Sequence, residues 1–263
     1  MARLSLSCLG PFQVTLDGQP ITSFKSNKVR ALLVYLAVEA DRPHPREVLA
    51  GLLWPDWPDR DALSNLRYSL SDLRGIIGDR ARAQAGASDP PFLLVTRDSL
   101  QFNGASDHWL DVAAFADLSR HKDLAGVEQA VDLYRGSFME GFSFGDSALF
   151  EEWVLLTRER LSRQMSAALH HLAAAYEQRG EYDRAQSSAR RQLERDAWDE
   201  TAHQVLMRTL ALSGQRSAAL AQYRTCRRLL DEELDVEPAA ETTILYEQIR
   251  SGKLTGAGPP PPA

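Results

Sequence analysis

The sequence predicts a mainly α-helical protein with a small β component, in which a mixed N-terminal part precedes an all-α C-terminal part. Three observations lead to this prediction. Short segments of alternating apolar and polar residues open the chain and return near residue 100, as in β-strands. Between them, apolar residues recur at three- and four-residue steps, the spacing of amphipathic helices. Beyond Asp111 the alternating pattern is absent, and helical segments repeat with a period of 34 residues.

The composition is that of a globular protein, because 44% of the 263 residues are hydrophobic and 25% are charged. This length suffices for one large or two ordinary domains. The sequence has no apolar run of about 18 residues for a membrane span, and its opening, MARLSLSCLGPFQV, is too interrupted for a signal peptide. We therefore expect a cytoplasmic protein without a membrane partner. Cys8 and Cys226 fit no metal or redox spacing and are expected to be reduced packing residues.

The net charge of −6 is unevenly distributed along the chain. Residues 1–103 hold 12 Lys and Arg against 11 Asp and Glu, a net charge of +1, whereas residues 104–263 hold 18 against 25, a net charge of −7. Nucleic-acid binding depends on a local patch, so the acidity of the second half does not exclude it. A part with a net charge of +1 would bind non-specific DNA weakly, and specific contacts or dimerisation would have to supply much of the affinity.

The first hundred residues predict two strands, three helices and a hairpin. In chain order these are strands Leu4–Leu9 and Phe12–Leu16, helices Lys28–Glu39, Pro45–Leu53 and Asp59–Ile77, and hairpin strands Phe92–Thr96 and Ser99–Phe102. Asp17 and Gly18 mark a turn after the second strand, and Pro45 is placed at the favoured first position of the second helix. The order is that of a winged helix-turn-helix with an N-terminal sheet.

The third helix carries a cationic stripe beside its apolar side. The apolar side consists of Leu63, Leu66, Leu70, Leu73 and Ile77. Arg60, Arg67 and Arg74 recur every seven residues next to it. A helix that buries leucines and presents Arg, Ser and Tyr outward suits the major groove of DNA. Taken alone, the pattern is also that of an ordinary surface helix with solvated charges.

Residues 11–103 resemble the OmpR-type winged-helix domain of bacterial regulators that carry a bacterial transcriptional activator domain. The resemblance lies in KVRALLVYLAVEADRPHPREVLAGLLWPD and NLRYSLSDLRGIIGD, and the hairpin FLLVTRDSLQFN corresponds to the wing. It implies that the third helix reads the major groove and that Arg97 at the wing tip reaches the adjacent minor groove or its phosphates. Whether Arg67 or Arg74 binds guanine or phosphate stays open. The candidate DNA-binding residues are Lys25, Lys28, Arg60, Ser64, Asn65, Arg67, Tyr68, Ser71, Arg74 and Arg97.

A rigid segment, Trp54-Pro55-Asp56-Trp57-Pro58, connects the second and third helices. We favour the interpretation that both tryptophans pack this loop over a small core. In OmpR-type domains RNA polymerase contacts can occur at this loop, so the resemblance keeps a functional surface as the alternative.

The second half shows a 34-residue repeat, which is the tetratricopeptide period. The residues that recur at this shift are Ala168/Ala202, Leu172/Leu206, Gly180/Gly214, Ala185/Ala219 and Arg190/Arg224. We expect the glycines to lie in turns that need a left-handed backbone. The alanines would let paired helices approach closely, and the leucines would fill the space between them. The sequence therefore predicts a tetratricopeptide-like, all-α repeat.

This half also resembles the bacterial transcriptional activator domain, in WLDVAAF at 109–115, AVDLYRGSFMEGF at 130–142, EEWVLLTRERL at 151–161 and the closing segment at 202–242. The tetratricopeptide proline is absent, because Ala197 and Asp231 occupy its places, and this weakens any expectation of a peptide groove. We predict a winged-helix domain at 1–105, an activator domain at 106–252 and a Pro-rich linker at 253–263. The linker indicates a longer protein cut at a domain boundary.

The sequence predicts no enzymatic site. The segment SGKLTG at 251–256 lacks the first glycine of a phosphate-binding loop and the Ser or Thr that follows its lysine. His170 and His171 are adjacent and so point to different sides of a helix, and no metal-ligand spacing or nucleophile motif is present. We expect no catalytic residue, cofactor or metal within these residues.

We expect a bacterial transcription regulator, an activator by its family resemblance. It would bind double-stranded promoter DNA through the winged helix and use the repeat for homodimerisation, regulation or contact with RNA polymerase. Members of this family often bind direct repeats as side-by-side dimers, with half-sites about one helical turn apart. One alternative is an interaction scaffold with little DNA binding, favoured by the near-neutral first half and by Asp59, Asp61 and Asp72 on the third helix. Another is the regulatory front end of a signal-transduction ATPase, with its activity in C-terminal domains beyond Ala263.

Overall fold

The computed structural model describes residues 3–80, 90–120, 123–143 and 145–254. In these ranges the helices are α1 Asn27–Val38, α2 Arg46–Leu53, α3 Asp59–Ile76, α4 Asp111–Leu118, α5 Leu124–Leu133, α6 Ala148–Gln178, α7 Tyr182–Leu193, α8 Glu200–Leu212, α9 Arg216–Leu234 and α10 Ala240–Arg250. The strands are β1 Leu4–Ser7, β2 Gln13–Leu16, β3 Gln19–Pro20, β4 His44–Pro45, β5 Leu93–Val95, β6 Ser99–Phe102 and β7 His108–Leu110. None of these helices combines the length and the apolar character that a membrane span requires. Most of the predicted linker at 253–263 lies outside the described residues.

The chain folds into two compact units. The first comprises Met1–Arg120 with Asp132–Ser162, and the second comprises His121–Val131 with Arg163–Ala263. The first unit therefore takes residues from both sides of the domain boundary predicted between 105 and 106, and that boundary stays a prediction.

An N-terminal sheet with the strand order β3-β2-β1-β7 opens the first unit. Strands β1 and β2 are antiparallel, with Leu4 opposite Leu16. The predicted turn is confirmed, because Asp17 and Gly18 both have positive φ, 54° and 76°, as a two-residue hairpin turn needs. The sequence did not predict β3 or β7, because strands of two and three residues are too short to show an alternating pattern.

Helices α1 to α3 and a second sheet form the winged-helix part of this unit. The second sheet has the order β4-β6-β5, and its β5–β6 hairpin, with Leu94 opposite Gln101, is the predicted wing. The apolar residues predicted for the inner side of α3 are buried, except that Leu63 is only half-buried, and the leucines of α1 are buried as well. One detail was wrong: Pro45 is the N-cap of α2 and not its first residue, since it pairs with Ser99 in the β4–β6 ladder.

A buried carboxylate joins β1 to the segment that follows the wing. Asp111, the first residue of α4, accepts hydrogen bonds from the backbone N–H groups of Cys8 (2.7 and 2.9 Å) and Leu9 (2.8 Å). Burial raises the pKa of Asp111, while those N–H groups and the Arg135 guanidinium, 3.7 Å away, act in the opposite direction. The Cys8 carbonyl in turn accepts from the N–H of Met139 at 2.8 Å. Cys8 and Leu9 are therefore bound to the start of α4 through Asp111, and Cys8 is also bound to the backbone at Met139.

Both cysteines are buried and unpaired, which agrees with the prediction that they are packing residues. Burial raises the pKa of the Cys8 thiol well above its usual value and that of Cys226 to about 12. Both side chains are therefore neutral thiols near neutral pH.

The second unit confirms the predicted repeat. Gly180 and Gly214 adopt positive φ, 72° and 82°, in the turns after α6 and α8. The bond that closes each turn also recurs 34 residues apart, from Glu181 N–H to the Tyr176 carbonyl at 2.9 Å and from Gln215 N–H to the Leu210 carbonyl at 2.8 Å. The alanines and leucines of the repeat are buried as expected: Ala168, Leu172, Ala185, Ala202, Leu206 and Ala219.

Asp199 connects three helices of this unit. It is the N-cap of α8, where its side chain accepts from Ala202 N–H at 3.0 Å. It also pairs with His170 of α6, with Nε2 and Oδ2 2.5 Å apart, and accepts from Gln192 of α7 at 2.8 Å. The hydrogen bond to Asp199 raises the pKa of His170, with burial opposing. Burial raises the pKa of Asp199, but the bonds from His170, Ala202 and Gln192 together lower it below the usual value.

We predict that Asp111→Ala lowers the free energy of unfolding by about 2–4 kcal/mol, because two buried N–H groups lose their acceptor. Chemical denaturation followed by tryptophan fluorescence measures this, since four of the five tryptophans lie in the first unit. The control is Asp117→Ala, which removes an exposed carboxylate from the same helix and should cost less than about 0.5 kcal/mol. Equal stability of the Asp111 variant and the wild type would contradict the assigned role.

We predict that the His170–Asp199 pair stabilises the second unit mainly on the acidic side of neutrality. Because the folded-state pKa of His170 is raised, its contribution is complete below the unfolded value near 6.5 and is lost as the pH rises through the folded pKa. For Asp199, whose folded pKa is lowered, the contribution is lost as the pH falls through that value. The difference in unfolding free energy between wild type and His170→Gln should reach at most about 1 kcal/mol, since His170 is partly exposed.

Thermal unfolding by circular dichroism between mildly acidic and mildly alkaline pH tests this dependence. The matched control is His171→Gln, which removes an exposed histidine from the next position of α6. A stability difference that grows with rising pH would have the wrong sign for this pair.

Candidate nucleic-acid interface

Helix α3 buries one side in the first unit and presents the other to solvent. Arg60, Arg67 and Tyr68 are exposed, and Tyr68 retains 69% of its accessible surface. Ser64 and Asn65, also predicted as site residues, are half-buried at the edges of this side. The helix has 18 residues and a length of about 27 Å, enough to lie along a major groove that is about 12 Å wide.

Two of the three stripe arginines are available to a partner. Arg60 and Arg67 have no salt bridge or hydrogen bond to any residue in the described parts of the chain. A guanidinium with all five donors unpaired can bind two acceptors at once, on a guanine edge or on a phosphate.

Arg74, the third member of the stripe, turns away from this surface. It is half-buried, and its Nε lies 3.1 Å from Oδ2 of Asp79, which is completely buried. Oδ1 of Asp79 accepts from the N–H groups of Phe92 at 2.5 Å and Leu93 at 3.3 Å, at the start of β5. Arg74 and Asp79 therefore connect the end of α3 to the wing. The seven-residue spacing of the arginines could not reveal this, because the partner of Arg74 lies beyond the end of the helix.

Two other predicted residues of this region are already engaged. Ser71 accepts a side-chain bond from Arg80, which also donates to the Ser71 carbonyl at 3.1 Å. Lys25, just before α1, forms a 2.6 Å ion pair with Asp72 of α3 and is largely exposed. The Asp72 charge, which would repel phosphate, is neutralised in this way.

The wing tip is a tight turn that is held by the start of α2. The Thr96 hydroxyl accepts from Ser99 N–H at 2.9 Å and from Asp98 N–H at 3.2 Å. Arg46, the first residue of α2, donates from Nη2 to the Thr96 carbonyl at 2.9 Å and from its N–H to the Asp98 carbonyl at 3.0 Å. Arg97 lies exposed within this turn. Arg46 was not identified from the sequence. The available signal was its position directly after Pro45, at the start of the second helix.

Lys28 and the loop between α2 and α3 differ from expectation. The Lys28 side chain is only 16% exposed; its amine lies 5.3 Å from the centre of the Trp54 ring and 3.4 Å from Asp146. Trp54 is buried, as predicted for a packing residue, but Trp57 is 53% exposed, so the packing interpretation was wrong for the second tryptophan. The N–H of Trp57 donates to the Trp54 carbonyl at 3.2 Å and closes a turn between the two residues.

The electrostatic balance along α3 changes from one end to the other. Asp59 and Asp61 occupy its first turn, where carboxylates stabilise the helix dipole. They are exposed and would repel phosphate, so the cationic part of the surface begins with Arg60 and centres on Arg67. Across the described ranges, no three His, Cys, Asp or Glu side chains gather into a group that could hold a metal ion.

Comparison with a solved structure supports this architecture. The structure of Mycobacterium tuberculosis EmbR in complex with a low affinity phosphopeptide superposes with a TM-score of 0.69 at 23% identity, over 96% of this chain and 66% of that one. At this identity the likeness concerns the fold, a winged helix followed by a tetratricopeptide-like helical part.

Two sequence relatives extend over nearly the whole chain. The transcriptional regulatory protein EmbR of Mycobacterium tuberculosis is 28% identical over 97% of this chain and 68% of its own length. The regulatory protein AfsR of Streptomyces coelicolor is 26% identical over 94% of this chain and 24% of its own length. The chain thus spans about two thirds of one relative and about a quarter of the other.

The sequence profile of the bacterial transcriptional activator domain matches residues 110–250, which is more than half of the chain. These residues run from the end of β7 to the end of α10 and include the 34-residue repeat. The chain therefore belongs to the family of the bacterial transcriptional activator domain.

Proposed function

We propose that this chain regulates transcription by binding double-stranded promoter DNA, with α3 in the major groove and the wing against the adjacent backbone or minor groove. The observation that carries the proposal is the outward side of α3. Arg60, Arg67 and Tyr68 are exposed there, and the two arginines have no partner in the described parts of the chain, while the opposite side of the helix is buried.

In this proposal, one set of residues reads the bases and another set positions the chain on the DNA backbone. Arg67, near the middle of α3, is the residue placed to bind a base edge, and Tyr68 can pack beside it on the groove wall. Arg60 contacts a phosphate, and such contacts set the register but carry no sequence information, while Lys25 neutralises Asp72 next to this contact. Arg97 at the wing tip contacts the neighbouring minor groove or its phosphates. Arg74 and Ser71 act indirectly, since the ion pair of Arg74 with Asp79 and the hydrogen bond of Ser71 with Arg80 connect α3 to the residues that follow it.

The relatives support a regulatory role, since one is called a transcriptional regulatory protein and the other a regulatory protein. We assign the helical repeat to protein contacts that follow DNA binding, such as contact with RNA polymerase, which would raise the local polymerase concentration at a promoter. No chemical step is required for this activity.

An interaction scaffold is the second candidate. The first-turn carboxylates Asp59 and Asp61 favour it, because both are exposed at the end of α3 where a phosphate backbone would approach. A scaffold would show no sequence preference and little dependence on salt concentration.

We predict that Arg67→Ala weakens binding to the selected site by about 1–3 kcal/mol without lowering stability, because this side chain is exposed and unpaired. The site is first selected with the wild-type chain from sheared genomic DNA of the source organism at moderate salt. Binding isotherms over a range of salt concentrations then separate two roles. Loss of discrimination at one base pair indicates base reading, whereas a uniform loss with a salt slope smaller by about 1 indicates a phosphate contact.

The matched control is Arg224→Ala, which removes an exposed helical arginine from α9 in the second unit. It should leave affinity and salt slope unchanged. If the folded wild-type chain selects no site at all, or if Arg67→Ala binds the selected site as tightly as wild type, the proposed recognition by α3 is wrong and the scaffold is favoured.

Arg74→Ala should behave differently from Arg67→Ala. It leaves the buried Asp79 carboxylate without its counter-charge, so we expect the free energy of unfolding to fall by about 1–3 kcal/mol. Asp79→Asn should partly restore stability in the double variant, since a neutral amide still offers one acceptor to the β5 N–H groups. Chemical denaturation of Arg74→Ala, Asp79→Asn and the double variant measures these free energies of unfolding. If Arg74→Ala is as stable as wild type, the ion pair is dispensable.

A further inference from the structure

The first half of α6 carries an exposed apolar stripe. Leu149, Leu155 and Leu156 are 54%, 62% and 58% exposed, whereas Phe150 and Val154 on the other side of the helix are buried. A single exposed leucine is ordinary on a protein surface. Three within two turns of one helix form a patch, which marks a surface that binds another molecule.

Two charges complete this stripe. On an α-helix, Leu149, Glu152, Leu156 and Arg160 fall within an arc of roughly 80°. Glu152 and Arg160 are exposed, and neither has an ion-pair or hydrogen-bond partner in the parts of the chain that the structure describes. They are separated by about 12 Å along the axis, too far to pair within their own helix.

Glu152 lies four positions before Leu156, and Arg160 lies four positions after it. A second copy of α6, laid antiparallel with Leu156 against Leu156, brings Glu152 of each copy against Arg160 of the other. A two-fold axis then forms both ion pairs at once. A shift of one residue in one direction would place Glu152 against Glu159, a like-charge pair, and in the other direction against the buried Leu161, so the charges favour the register centred on Leu156.

We infer that this stripe is a self-association surface, on which two copies of the chain pair through antiparallel α6 helices centred on Leu156. Trp57, itself 53% exposed, lines one surface pocket together with Leu149 and so adds an exposed aromatic side chain next to the stripe. A surface of this extent lies at the small end for protein pairs. We expect a dissociation constant on the order of 10 µM.

Sedimentation equilibrium of the whole chain without DNA, at concentrations below and above that constant, measures the association independently of the proposed function. Leu156→Glu places two carboxylates face to face, and Arg160→Glu places a new carboxylate against Glu152. Each should raise the dissociation constant at least about tenfold. The charge exchange Glu152→Arg with Arg160→Glu recreates both ion pairs in reversed order and should restore association to within about threefold of wild type.

Arg120→Glu is the matched control, because it makes the same charge change at an exposed arginine outside the stripe. All substituted side chains are exposed, and thermal unfolding verifies that each variant is folded. A wild-type chain that is monomeric throughout, or a dimer that Leu156→Glu leaves intact, overturns the inference. A dimer that the single variant disrupts and the exchanged pair does not restore overturns the antiparallel register, and with it the proposed arrangement.

Discussion

The first unit depends on the hydrogen bonds that the buried carboxylate of Asp111 accepts from the backbone. A buried charge is tolerated only where hydrogen bonds compensate it, and here the compensation comes from the N–H groups of Cys8 and Leu9, about a hundred residues earlier in the chain. The parallel pairing of β7 with β1 lies next to this contact. Leu110, where the match to the family domain begins, is thereby part of the N-terminal sheet. This explains why the first compact unit does not end where the sequence resemblance changes from one module to the other.

A second buried carboxylate, that of Asp79, connects two parts of the candidate interface. Asp79 binds Arg74 at the end of α3 and the first N–H groups of β5, so α3 and the wing share one connection. Arg46 holds the opposite end of the wing through the Thr96 and Asp98 carbonyls. Such pre-organisation favours the proposed binding of DNA, because less conformational freedom would be lost on binding. Arg60 and Arg67, which have no partner among the described residues, lie on the exposed side of this connected helix.

The helical repeat uses a related device in the second unit. Asp199 caps α8 and also binds His170 and Gln192, so one side chain connects three successive helices. The 34-residue shift could predict the turns at Gly180 and Gly214, because their conformation depends on the residue itself. It could not predict Asp199, since the aligned position one repeat earlier is Met165 and the contact is made once.

What the sequence determined by itself were the properties that short stretches of chain decide. The helix periods, the Asp17-Gly18 turn, the wing hairpin and the repeat all follow from local spacing and residue type, and all are present in the structure. The tertiary structure decided which charges are free. Arg67 and Arg74 are equivalent in the seven-residue pattern, yet Arg74 binds a buried aspartate and Arg67 faces solvent. Lys28 was an equally good candidate by sequence and is covered by Trp54 and Asp146. The physical reason is that a side chain's partner can lie anywhere along the chain, whereas periodicity reports only its neighbours on one element.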